Sequence, residues 1–85
     1  MHHEIDVREC TLSALAEIAE VDRSALSGAD RLREDLGMDS LSSLELLSSV
    51  SEKLRIDLEV EEALTIRTVD EACTFVERHY VASRA

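Results

Sequence analysis

The scarcity of helix-breaking residues constrains the fold of this chain more than any other sequence feature. It contains no proline and only two glycines, Gly28 and Gly37, both in one segment without sustained periodicity. Elsewhere apolar residues recur three and four positions apart, which is the spacing of one face of an α-helix. The sequence therefore predicts an all-α fold, a small three-to-four-helix bundle with three principal helices and a short one.

Helix bounds follow from apolar spacing and from capping patterns. We predict helices over about 6–20, from 39 or 40 to about 55, and from 69 to about 80, with one or two turns over 60–64. Asp6 with Glu9, and Thr68 with Glu71, have the spacing of a capping box. We expect residues 1–5, with His2-His3, to be a flexible tail, 6–82 the domain, and 83–85 a frayed end. The predicted core is Cys10, Ala14, Leu15, Ile18, Leu26, Leu32, Leu36, Leu46, Leu47, Val50, Leu54, Val69, Ala72, Cys73, Val76 and Tyr80.

Charge and aromatic content exclude several classes of protein. The 85 residues carry a net charge of −10, and Phe75 and Tyr80 are the only aromatic residues. Such a chain is repelled by phosphate backbones and offers little for bases to stack on, so we expect no nucleic-acid partner. It has no apolar run of membrane-spanning length and no signal-peptide pattern, so we expect no membrane insertion and a cytoplasmic location. Cys10 and Cys73 are expected to be reduced thiols.

Common catalytic and metal patterns fail on spacing. Ser40 precedes a helix in Gly37-Met38-Asp39-Ser40-Leu41, so it is not a nucleophile elbow, which follows a strand. A calcium loop starting at Asp35 would have Ser40 at its glycine position and Leu46 at its bidentate position. A catalytic triad would need a tail histidine or His79. We expect neither catalysis nor a metal site.

The second predicted helix has two apolar faces. One is the core stripe. The other lies beside it, where two leucines flank a serine at the start of the helix, and it suggests a surface for a partner protein. Its residues are Ser40, Leu41, Leu44 and Ser48, flanked by Glu45 and Glu52.

Ser40 has a position suited to one modification. A hydroxyl at the first helical position lies over free backbone N–H groups and the positive end of the helix dipole, so a phosphate ester built on it would be stabilised. Asp39 can cap the helix and also places a carboxylate beside the hydroxyl. An enzyme bringing Mg²⁺ and a pyrophosphate donor could use both.

The run Leu36-Gly37-Met38-Asp39-Ser40-Leu41 resembles the attachment signature of the acyl carrier protein family. The similarity continues through Glu34-Asp35-Leu36, Asp57–Ala63 and Ile66–Val69, and covers about residues 26–76. It implies an acyl-carrier-protein-like fold without catalysis of its own. It also implies covalent 4′-phosphopantetheine on Ser40, taken from coenzyme A, with Asp39 and Leu41 flanking the attachment.

The resemblance also implies partners. A phosphopantetheinyl transferase would modify Ser40, and acyl-transferring, ketosynthase or ligase-type enzymes would then exchange thioesters with a monomeric carrier. In this family basic patches on partners meet the acids of the second helix. The contacts implied here are Leu41, Leu44, Glu45, Ser48 and Glu52.

Departures from the family pattern favour a specialised pathway. The second helix carries five serines after Ser40, the acids are displaced to 57–62, and Glu59 stands where a proline is frequent. We therefore expect a discrete carrier of polyketide or other natural-product biosynthesis rather than of primary fatty acid synthesis. Aminoacyl or peptidyl carriers more often have Gly-Gly-x-Ser where this chain has Gly37-Met38-Asp39-Ser40. An unmodified acidic helical adaptor is the alternative outside the family.

Overall fold

A computed structural model describes residues 6–84 and contains four α-helices. Within that range no strand forms, and an isolated bridge joins Arg31 to Thr68. The all-α prediction is confirmed. The predicted tail at 1–5 and residue 85 lie outside the described residues. The helices are α1 (Val7–Ala19), α2 (Ser40–Leu54), α3 (Val60–Ala63) and α4 (Val69–Arg84), with a single 3-10 turn at Arg23–Ala25.

Side-chain caps fix the starts of α1 and α4. At α4, Glu71 N–H donates to Thr68 Oγ1 (3.2 Å) and Thr68 N–H donates to Glu71 Oε1 (3.1 Å), so this capping box is complete. At α1, Asp6 accepts from Glu9 N–H (3.0 Å). The capping box predicted at α1 is wrong in its second bond, which the Glu9 carboxylate should accept. That carboxylate pairs instead with Arg23.

The last helix is longer than the sequence suggested. We predicted that this helix ends at about Tyr80 and that 83–85 is frayed, but α4 continues to Arg84. Contacts one turn back support these residues. Ser83 Oγ donates to Tyr80 O (2.8 Å), and the Arg84 guanidinium lies over the Tyr80 ring while donating to its hydroxyl (2.8 Å).

The core forms where α1 packs against both α2 and α4. The predicted stripe of α2 is buried as expected: Leu46, Leu47, Val50 and Leu54. Thr11, Leu12, Ala16 and Phe75 are also buried, which the spacing argument missed. Both cysteines are free. Cys73 is fully buried, which raises the pKa of its thiol, whereas Cys10 is only partly buried. Among the described helices, none is long and apolar enough to cross a bilayer.

The segment between α1 and α2 is fastened to the start of α4. Leu32 N–H donates to Arg67 O (2.8 Å), Val69 N–H to Asp30 O (3.0 Å) and Asp70 N–H to Gly28 O (2.9 Å). As predicted, three leucines hold it to the core. Leu32 is buried, and Leu26 and Leu36 pack against the cluster while partly buried. This pairing places the residues that precede α2 beside those that follow α3.

Candidate functional site

The turn before α2 sets the direction in which the helix begins. Asp35 and Leu36 N–H both donate to Arg31 O (2.9 and 3.1 Å), and Gly37 then adopts a φ of +69°, a left-handed conformation that glycine adopts at little cost. Met38 N–H donates to Leu32 O (2.9 Å), and the Met38 side chain is buried. Because Met38 is anchored, the next two residues emerge at the surface.

Asp39 caps α2 as the sequence predicts. Its Oδ1 accepts from Ser42 N–H (2.9 Å) and from Ser42 Oγ (3.1 Å). These bonds, the backbone one first, hold the pKa of the Asp39 carboxyl below its usual value. Both bonds end on Oδ1, so an ionised oxygen, Oδ2, remains at an exposed position next to Ser40.

Ser40 is the first residue of α2 and is exposed. The first backbone bond of the helix runs from Ser43 N–H to Asp39 O (3.0 Å), so the N–H groups of Ser40 and Leu41 have no partner in the helix ladder. Those amides and the helix dipole favour negative charge on the Ser40 side chain. The hydroxyl is thus accessible to an enzyme and suited to carry an anion.

Ser40 borders an open cleft of about 730 Å³ between the segment before α2 and the residues that follow α3. Three arginines and two carboxylates line it, together with apolar side chains at its base. The lining residues are Arg31, Leu32, Arg33, Glu34, Met38, Asp39, Ser40, Ser43, Ala63, Leu64, Ile66 and Arg67. The resemblance singled out Ser40 and Asp39, but it gave no role to the arginines, which line one cleft because Leu32 pairs with Arg67.

The second face of α2 is at the surface. Leu41 is 66 % exposed and Leu44 41 %, and the other residues predicted for a partner surface are exposed as well: Glu45, Ser48 and Glu52. We call these five residues the α2 face. Four other large apolar residues are exposed, and sequence reasoning did not single them out: Val21 (38 %), Val60 (45 %), Leu64 (58 %) and Val81 (67 %). Because α3 has only four residues, its sequence pattern is too short to predict which side of the helix faces outward.

Comparison with known families identifies the class of protein. The chain matches the model of a family described as "phosphopantetheine attachment site" over residues 12–76. The chain belongs to this family. The match begins within α1, includes all of α2 and α3, and ends midway along α4, and the resemblance to acyl carrier proteins is confirmed. A phosphopantetheine attachment domain is a non-catalytic carrier that bears 4′-phosphopantetheine covalently.

The residues at the start of α2 fit that cofactor. An exposed hydroxyl at a helix N-terminus and an adjacent open cleft are what a bulky phosphodiester requires. When bound, the group would supply a terminal thiol. The chain's own residues do the rest: Met38 anchors the turn, Asp39 caps the helix and Ser40 presents its oxygen. Within residues 6–84 no three side chains are grouped as metal ligands.

Proposed function

We propose that this chain is a discrete acyl carrier protein in which Ser40 Oγ receives 4′-phosphopantetheine from coenzyme A. The main support is the exposed hydroxyl of Ser40 at the first position of a capped helix, in a chain of the phosphopantetheine attachment family. A phosphopantetheinyl transferase supplies the catalytic groups, and the carrier supplies the acceptor atom and a surface to hold it. The proposal includes a cytoplasmic setting.

In the transfer, Ser40 Oγ attacks the coenzyme A phosphorus that bears the pantetheine, and a serine phosphodiester forms. The pyrophosphate bond breaks, 3′,5′-ADP leaves with the electron pair, and the serine proton passes to a base of the transferase. Asp39 stays ionised because its pKa is lowered. Its free oxygen can therefore ligand the Mg²⁺ that the transferase brings with coenzyme A.

The α2 face is the surface we propose for partners. Leu41 and Leu44 provide apolar contacts next to Ser40, and Glu45 and Glu52 provide charge that attracts basic patches. Exposed charges raise association rates more than affinity. This suits a carrier, because it must leave each acyltransferase, ketosynthase or ligase as readily as it arrives.

For the pathway we propose polyketide or related natural-product assembly. The serine-rich α2 and the acids displaced to 57–62 differ from the acid-crowded helix of primary fatty acid carriers. A partner that reads the α2 face would therefore meet two carboxylates, both exposed and both on one side of the helix. Fewer charges make recognition more dependent on the apolar pair.

The first experiment locates the acceptor. Apo protein is incubated with coenzyme A, Mg²⁺ and a broad-specificity transferase, and intact mass is measured for wild type, Ser40→Ala and Ser43→Ala. Ser43 is the matched control, because it lines the same cleft one turn further along α2. We expect one phosphopantetheine on wild type and on Ser43→Ala, and none on Ser40→Ala. No mass gain in wild type would leave the unmodified adaptor as the function.

A second experiment tests the cargo. The holo protein is offered acyl donors and aminoacyl donors with their loading enzymes, and thioester formation is followed by mass. We expect acyl loading, because Asp39 precedes the serine and the surface is acidic. Preferential aminoacyl loading would show a peptidyl-type carrier. Transfer only with primary fatty acid synthesis enzymes would contradict the pathway.

A further inference from the structure

The cleft beside Ser40 differs in charge from the rest of the chain. Acids outnumber bases 19 to 9 overall, yet three arginines and only two carboxylates line this cleft. The lining of the cleft is therefore richer in arginine, relative to acids, than the chain as a whole.

Two of the three arginines form no salt bridge within the described residues. Arg31 is paired with Asp35 (Nε to Oδ2, 3.4 Å). Neither Arg33 nor Arg67 forms a salt bridge with any residue of 6–84, and both are exposed. Arg55, Arg78 and Arg84 also form no salt bridge within 6–84, but they do not line this cleft. Arg33 and Arg67 are the two arginines without a salt bridge in that range that share a cleft with Ser40, so both are available there for an anion from outside the fold.

Backbone pairing holds the two arginines on opposite walls of the cleft. Arg33 O accepts from Gly37 N–H (3.1 Å), in the turn that leads to Ser40. Arg67 O accepts from Leu32 N–H (2.8 Å), which ties the two walls together. Only the side chains are left to move. Guanidinium groups bind phosphate oxygens in a planar, two-point geometry, so they suit a phosphodiester better than lysine would.

We infer that Arg33 and Arg67 bind the phosphodiester at the base of the cofactor arm and lay the first part of the arm over this cleft. The inference rests on the proposed attachment at Ser40, since Ser40 borders the same cleft. The apolar side chains that line the cleft receive the hydrocarbon portion that follows the phosphate. Leu41 and Leu44 do not line this cleft, so an arm held there leaves the α2 face free for partners between transfers.

The test is ³¹P NMR of the holo protein, in which the arm supplies the only phosphodiester. Wild type, Arg33→Gln, Arg67→Gln and the double variant are compared with Arg78→Gln, an exposed arginine of α4 outside the cleft. Intact mass first verifies that each sample carries one phosphopantetheine. Spectra are taken from about 0.02 M to about 1 M NaCl, where the Debye length falls to ~3 Å.

We expect the wild-type and Arg78→Gln resonances to move by more than a linewidth as salt increases. The double variant should remain at the high-salt position throughout, with a narrower line, and each single variant should lie between. Salt-independent wild-type spectra, or a double variant that matches wild type, would overturn the inference. So would a double variant that is modified more slowly but keeps the wild-type resonance, since the arginines would then contact the transferase. Absence of any phosphopantetheine on Ser40 overturns the proposed function as well.

Discussion

Two leucines of α2 provide a matched test of the face assignment. Leu47 is 7 % exposed and Leu41 is 66 % exposed, so the same truncation to alanine has different consequences. Leu47→Ala leaves a cavity in the core and should lower the free energy of unfolding by about 2–5 kcal/mol. For a domain of this size each kcal/mol corresponds to about 4–8 °C, so the melting temperature should fall by about 8–40 °C. Leu41→Ala should change stability by less than about 0.5 kcal/mol.

The same pair separates folding from docking. Truncating Leu41 removes an apolar contact with the transferase that we estimate at about 1 kcal/mol, or roughly a fivefold loss in kcat/KM. Thermal unfolding followed by circular dichroism gives the first quantity, and the rate of phosphopantetheine transfer gives the second. If the melting temperature of Leu41→Ala is as low as that of Leu47→Ala, the faces of α2 are wrongly assigned. If it is stable and modified at the wild-type rate, Leu41 is not part of a docking surface.

Three further predictions concern charge, thiols and pH. Glu45→Lys should slow modification several-fold at low salt and much less at high salt, while an effect independent of salt would contradict electrostatic docking. A thiol reagent should label Cys10 at least ~100-fold faster than Cys73, which is buried with a raised thiol pKa, and equal rates would contradict that burial. Asp39 has a lowered pKa through Ser42, so its ionised form adds stability above about pH 4 that is lost as pH falls through the lowered pKa. Asp39→Asn can still cap α2, so its melting temperature should fall less on acidification, and an unchanged pH profile would refute this.

Much of the fold could be predicted because it depends on residues close in sequence. The buried stripe of α2 follows from helical spacing, and the cap of α4 follows from Thr68 and Glu71 three positions apart. The Glu9–Arg23 pair illustrates the limit. A carboxylate with capping-box spacing has two possible partners, and the arginine fourteen residues later was favoured because the 3-10 turn brings it close.

The site was predictable only in part, for the same reason. Asp39 and Ser40 lie in one local motif, so their geometry could be expected. The placement of Arg33 and Arg67 at one cleft depends on a backbone pair between residues 32 and 67, which no local pattern indicates. The exposure of Leu64 depends on the orientation of a helix of four residues. Such arrangements of residues far apart in the sequence are established only when the chain folds.

Fragmentation of the tryptic peptide that spans Glu34–Lys53 tests the central claim most directly. This peptide contains six serines, at positions 40, 42, 43, 48, 49 and 51, so intact mass cannot distinguish among them. Tandem mass spectrometry of the holo protein should place the whole phosphopantetheine mass on Ser40, with the other five unmodified. Fragment ions that place it on any other serine, or an unmodified peptide from a sample whose partner transferase is active, would contradict the account.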